Sequence, residues 1–258
     1  MPLKAPVRES RTTRSGTAAV EVAALTKTFQ ARGGPVLALR DVTFSVAPGE
    51  TLGVVGPSGC GKSTLLEVIC GLETPSAGDV TVRGRCVLMP QRDLLLPWRS
   101  ALDNAALAPQ LQGVSRNEAR RRATALFASF GLAEFAHARP AELSGGMRQR
   151  VAFARTLLAD RPVLALDEPF ASLDSITRAE LQEWLLAALA HEQRTTLLVT
   201  HDIEEALYVC DRVLVMSRRP GTVIEELEPD LDRSAARTDV VTSDAFSRLR
   251  QRALEALA

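Results

Sequence analysis

No stretch of this 258-residue chain approaches the roughly 18 apolar residues that a membrane span requires. The longest apolar runs, such as Thr195-Thr-Leu-Leu-Val-Thr200, are of strand length. The first residues are basic but hold no apolar signal segment, so secretion is not expected. Net charge is missing too, because 31 basic residues cancel 31 acidic ones. A dedicated nucleic-acid binder is usually basic on at least one face, so no nucleic-acid partner is expected. Cysteine is scarce: four thiols, at 60, 70, 86 and 210, sit in apolar contexts without paired spacing. They read as reduced core or loop thiols rather than disulfides or a metal site, which suits the cytosol. There is no internal repeat. What remains is an ordinary apolar share, 46%, in a length that fits one large α/β domain or two small ones.

What is present centres on Gly56-Pro57-Ser58-Gly59-Cys60-Gly61-Lys62-Ser63-Thr64, which fits G-x-x-x-x-G-K-[S/T]. Thr51–Val55 before it reads as a buried strand. Leu65–Cys70 after it reads as a helix stopped by Gly71. Glycines at 56, 59 and 61 let the backbone curl so that successive N–H groups point inward at phosphate oxygens. The positive end of the following helix adds to that field. In such a loop Lys62 bridges the β- and γ-phosphates and Ser63 ligates Mg²⁺. Lys62 is expected to lie outside the core.

Residues 1–18 are polar and basic and are expected to be disordered. Val20–Leu25 begins the fold as a strand, with Phe29 beyond it. Val36–Arg40 and Val42–Val46 read as a pair of strands. Phe29 suits stacking on a nucleobase and equally a strand-end place in the core. Gly78–Gly84 reads as strand and turn, and Cys86–Met89 as a buried strand ending at Pro90-Gln91. Gln91 at that edge can reach a metal or a water beside phosphates; a plain surface glutamine is the alternative. About residues 92–160 form a helical insertion, with an amphipathic helix over 117–130. Leu143-Ser-Gly-Gly-Met-Arg-Gln-Arg150 opens another helix, where Ser144, Gly145 and Gly146 make either an anion site or a simple cap. Val163–Asp167 is an apolar strand ending in two carboxylates. Asp167 suits a Mg²⁺ ligand and Glu168 a group that polarises an attacking water. Adjacent like charges at a strand end are otherwise unfavourable. His201 ends the strand 195–200 beside the other strand ends.

Together these segments resemble the ATPase subunit of an ABC transporter. Residues 143–150 look like the ABC signature, and they lie shortly before Val163–Glu168. Gln91 then matches the Q-loop, Ser172-Leu-Asp174 the D-loop, His201 the switch histidine and Phe29 the base-stacking aromatic. The resemblance spans about residues 20–225, and its landmarks appear in order. Leu94-Leu-Leu-Pro-Trp98, Gly-Gly-Met-Arg-Gln-Arg150 and Ser217-Arg-Arg-Pro-Gly221 are similar to the nitrate, sulfonate and taurine import subfamily. Importers of thiamine-type pyrimidine precursors share them. One departure is the connection Arg83-Gly84-Arg85, which is short for such subunits.

The resemblance implies a P-loop NTPase core of α/β class, with an antiparallel β subdomain and an inserted helical subdomain. It implies ATP and Mg²⁺, a head-to-tail homodimer, and ATP held between the loop of one chain and Ser144–Gly146 of the other. Membrane permease subunits and a substrate-binding protein follow as partners, with the chain peripheral at the cytoplasmic face of the membrane. Gln91 and the Pro97-Trp98 corner would receive the permease. A soluble ABC ATPase of DNA repair or translation is the rival from another class. It would carry a long coiled-coil insertion or tandem ATPase halves, and neither occurs here.

Overall fold

The computed structural model describes residues 18–258 apart from 172 and 193, with the side chains of 190–192 also excluded. Nearly all of the basic tail, and Ser172, therefore lie outside the described residues. In chain order the first half contains β1 (Val20–Ala31), β2 (Gly34–Val46), β3 (Thr51–Val55), α1 (Lys62–Ile69), β4 (Ala77–Val82) and β5 (Cys86–Met89). Helices α2 (Ala101–Ala105), α3 (Leu107–Leu111), α4 (Arg116–Ser129) and α5 (Gly145–Leu157) follow before β6 (Val163–Asp167). The second half has α6 (Ser175–Glu192), β7 (Thr195–Thr200), α7 (Ile203–Val209), β8 (Arg212–Met216), β9 (Val223–Leu227), α8 (Arg237–Val241) and α9 (Asp244–Leu257).

The larger sheet has the order β5-β6-β7-β3-β8-β9, parallel throughout except for β9. Its central strands are apolar on both faces, as a parallel sheet covered on both sides requires. Val163, Ala165, Leu197, Val199, Leu52 and Val54 face a core shared with α1 and the antiparallel sheet β2-β1-β4. Leu164, Leu166, Leu198 and Val55 face the opposite core, built by α2, α4–α7 and α9. There Trp184 of α6 meets Phe130 at 4.2 Å between ring centroids and Phe153 of α5 at 5.7 Å. Gly53 in β3 allows α7 to press onto the sheet, since a Cβ there would lie 2.9 Å from Cys210 Sγ.

Two local expectations change. Residues 36–40 and 42–46 are not partners but one strand, β2, which pairs along its length with β1. A reversal needs at least two turn residues. The single residue between them, Asp41, instead adopts φ 47° and shifts the register as a bulge. For the same reason Phe29 lies within β1 rather than beyond it. The short connection Arg83-Gly84-Arg85 crosses from β4 in one sheet to β5 in the other.

Arg212 fastens the two sheets together. It is 4% exposed, and Nε donates to Glu50 Oε1 at 2.8 Å and Nη1 to Glu226 Oε1 at 2.7 Å. Nη2 donates to the Ser45 carbonyl of β2. Arg212→Ala would take one cation away from the buried Glu50 carboxylate, whose other oxygen accepts from Ala47 N. We expect a loss of about 3–5 kcal/mol, read as a shifted urea midpoint at unchanged slope. A loss below about 1 kcal/mol would show that the network is a surface-like pair.

Candidate active site

The phosphate loop occupies the turn between β3 and α1. Gly61 has φ 110°, and a Cβ there would meet Leu39 Cδ2 at 2.7 Å and the Ala38 carbonyl oxygen at 2.9 Å. Only glycine fits on both counts. Lys62 is not on the outside: it is 5% exposed, and Nζ donates to the carbonyls of Gly56 at 2.8 Å and Pro57 at 3.1 Å. Its ammonium thus sits inside the curl of the loop, where the chain's own oxygens turn it inward. Cys60 is buried in the same loop, which pushes its thiol pKa up.

Four neighbouring strands, β5, β6, β7 and β3, end on the same edge of the parallel sheet, and each delivers one part of the site. β3 delivers the loop. β5 ends at Met89, two residues before Gln91; β6 ends at Asp167; β7 ends at Thr200, next to His201. Glu168 Oε2 is the meeting point. Gln91 Nε2 donates to it at 3.3 Å, and His201 Nδ1 lies 3.1 Å from the same oxygen. Glu168 adopts φ 48°, a left-handed conformation that L-residues take at a cost of about 1–2 kcal/mol. Its backbone N–H is held by Val199 O at 2.8 Å, so β7 helps to hold the conformation. Strain at the residue that binds both neighbours is the pattern seen where a side chain must be aimed.

Burial pushes the Asp167 carboxyl above its ordinary pKa, and the Glu168 charge adds to that; a Ser63 hydrogen bond and Lys62 oppose it. The cleft over these groups is about 310 Å³. Phe29, Ser58, Gly59, Gly61, Lys62, Ser63, Thr64, Gln91 and Glu168 line it. Gly56, Pro57 and Cys60 shape the loop behind it. Phe29 is half-buried, with Lys27 Nζ 4.7 Å from its ring centroid. Arg219 also lines the cleft and was not anticipated. It comes from the turn after β8, within the Ser217-Arg-Arg-Pro-Gly221 segment that carries the subfamily resemblance but to which the sequence assigns no role at the site.

Ser144, Gly145 and Gly146 do not line this cleft. Ser144 is exposed and caps α5, accepting from Met147 N at 3.2 Å. Leu173 packs against this start of α5: a Cβ on Gly146 would lie 3.1 Å from Leu173 Cδ2. Asp174 caps α6 through the N–H groups of Ile176 and Thr177.

The segment after Gln91 is strapped to the helices. Asn104, fully buried, accepts from Leu96 N at 2.7 Å and donates to the carbonyls of Leu96 and Ser100. Arg155 donates to the carbonyls of Asp93 and Leu94, and Arg148 pairs with Asp93 at 3.0 Å. Trp98 is held outward on this turn with 71% of its surface exposed.

The profile of the ABC transporter family matches residues 39–171, a little over half of the chain. The chain belongs to the ABC transporter family. It is an ATPase subunit of that family, and its relatives include import subunits. The nitrate import ATP-binding protein of Synechococcus elongatus is 44% identical over 242 residues, covering 90% of this ABC ATPase and 88% of the relative. The taurine import ATP-binding protein of Rhizobium johnstonii is 44% identical, covering 86% and 90%. The formylaminopyrimidine import ATP-binding protein of Halalkalibacterium halodurans is 43% identical, covering 77% and 81%. Among solved structures, a dimeric ATP-binding cassette in a post-hydrolysis state with ADP and phosphate matches with a TM-score of 0.74 at 31% identity. It covers 81% of this ABC ATPase and is itself covered to 98%. The cassette fold, with its P-loop core, antiparallel sheet and helical insertion, is therefore that of this chain.

Proposed function

We propose that this chain energises a membrane importer for a small solute of the nitrate, sulfonate or taurine kind by hydrolysing ATP at the cleft of Lys62 and Glu168. The observation that carries the reading is the Glu168 carboxylate, held at the cleft by Gln91 and His201 from adjacent strand ends. The loop N–H groups and Lys62 bind the phosphates, and Phe29 stacks on the base. A water beside Glu168 Oε2 attacks the γ-phosphorus. Its proton passes to the carboxylate while the bond to the β–γ bridging oxygen breaks, leaving ADP and phosphate. His201 and Gln91 orient that carboxylate and the water.

The oxygen donors fit Mg²⁺: the Ser63 hydroxyl, the Asp167 carboxylate and the Gln91 amide all come from the loop and strand ends beside the cleft. The buried Asp167 carboxyl also carries a desolvation penalty that a cation would offset. Held by these residues, the ion would supply charge neutralisation for the phosphates. Because the raised pKa means that burial disfavours the charged form, the neutral Asp167→Asn should raise the thermal unfolding midpoint at pH 7. The same change should lower turnover by more than about 100-fold. A variant that is neither more stable nor slower would count against both statements.

Ser144–Gly146 lie off the chain's own cleft, which supports a head-to-tail homodimer in which each signature closes the other chain's site. The membrane partner is a permease docking on the Trp98 turn, with a substrate-binding protein acting on the permease. The chain would then sit at the cytoplasmic face. A formylaminopyrimidine-type solute is the second reading, favoured by the relative of that name. In co-expression with its permease, Trp98→Ala should weaken capture by about 30-fold, the value of one buried aromatic anchor, and leave ATP binding unchanged. Undiminished capture, or no capture by either form, would exclude the Trp98 interface.

A further inference from the structure

The four cysteines carry no pairing signal in the sequence, yet the fold brings two of them together. Cys70 is the residue that caps the end of α1, and Cys86 opens β5. Their Sγ atoms are 2.9 Å apart, against about 2.05 Å for a disulfide bond. Both are only partly buried. The remaining two differ: Cys60 and Cys210 are 1% and 0% exposed.

We propose that Cys70 and Cys86 form a reversible disulfide, a modification site that staples the phosphate-loop helix to the strand leading to Gln91. The oxidant is a low-molecular-weight disulfide of the glutathione class. The Cys70 thiolate attacks one reagent sulfur; the reagent S–S bond breaks and one thiolate leaves. Cys86 then gives up its proton and attacks the Cys70 sulfur of the mixed disulfide, expelling the second reagent thiol. Two protein thiols lose two protons and two electrons, and the reagent disulfide is reduced to two thiols. The order follows from the surroundings. The hydrogen bond to Cys70, and then burial, raise the Cys86 pKa, so Cys86 is the resolving rather than the attacking group. Exposed Arg83 and Arg85, on the short connection into β5, favour an anionic reagent.

The link would not seal the nucleotide cleft. It joins the far end of α1 from Lys62 to the far end of β5 from Gln91, and neither cysteine lines the cleft. Its effect is on the chain between, 70–86, which contains β4. Closing a loop of that length restricts the unfolded chain, and we expect the unfolding midpoint to rise by about 5–10 °C.

The test treats the purified full chain with oxidised glutathione, then alkylates it and maps peptides without reduction. The expected result is one dominant linked peptide, Cys70 to Cys86, with Cys60 and Cys210 recovered as thiols. The midpoint should rise and should return on adding dithiothreitol. In Cys86→Ser the glutathione adduct should persist on Cys70, with no rise. Alkylation of Cys70 and Cys86 at undiminished yield after oxidant would overturn the proposal. So would a dominant link through Cys60 or Cys210, or an equal midpoint rise in Cys86→Ser. The alkylation of the unmodified sequence decides the matter even if a serine variant folds poorly.

Discussion

Glu168→Gln should slow ATP hydrolysis by about 10²–10⁴-fold while leaving ATP binding in place. The glutamine keeps the length and one oxygen, so it can still accept from Gln91, whose amide lies 3.3 Å from Oε2. It cannot take a proton from water. The loop and Asp167 are untouched, so nucleotide should remain bound and trap a second chain against it. Size-exclusion chromatography with saturating ATP should therefore show a dimer that the unmodified chain forms only transiently. Adding Ser144→Phe should remove that dimer. The second change also removes the cap on Met147 N, worth about 1 kcal/mol, so circular dichroism must confirm that α5 is intact. A fast Glu168→Gln enzyme would move the base to another residue, with His201 next in line because its Nδ1 shares the same carboxylate oxygen. An inactive variant that stays monomeric would preserve the base and remove the signature from the isolated chain's site.

Lys62→Ala is expected to lower turnover by about 10²–10³-fold through loss of the cation on the β- and γ-phosphates. The change is made at a buried position, and its effect on folding follows from the partners. Among the described residues Nζ donates to the carbonyls of Gly56 and Pro57 and lies 4.0 Å from Cys60 Sγ, all in the same loop. Losing those bonds costs about 1–3 kcal/mol, less than the 5–15 kcal/mol that holds an ordinary domain together. Near-native circular dichroism with lost ATPase activity would bear this out. Unmodified turnover in a folded Lys62→Ala chain would remove the loop from the reaction.

The phosphate loop was legible because its chemistry demands a fixed local spacing: glycines where the backbone curls, then lysine and serine at the start of a helix. The paired carboxylates at 167 and 168 were legible because an apolar strand that ends in two like charges needs a reason. Gln91, His201 and Phe29 were not legible one by one. A single residue has no period, and each suited a bland place equally well until the resemblance grouped them. The strand order β5-β6-β7-β3 supplies the physical link, since it sets Gln91, Glu168 and His201 side by side. Asn104 and Arg155 were missed because their partners are backbone carbonyls of a turn, which no spacing advertises. The bulge at Asp41 was missed because apolar alternation looks the same on two short strands and on one long bent strand.

By itself, the sequence determined the class of chemistry. The loop motif, the signature and the two carboxylates are each short, and their roles come from backbone geometry within a few residues, which local sequence dictates. It also marked Thr51–Val55 and Val163–Asp167 as buried strands through their apolar runs, whereas Cys86–Met89, read as buried too, is an edge strand in which Met89 alone is fully buried. Tertiary structure decided the contacts between residues far apart in the chain. It put Gln91 and His201 on one oxygen of Glu168, and Arg212 between two sheets. It brought the Cys70 and Cys86 sulfurs into contact and kept Ser144 away from its own chain's cleft. These depend on sheet order and on the crossing between sheets. Such long-range pairings are chosen by the packing of whole elements, and no single stretch of sequence encodes them.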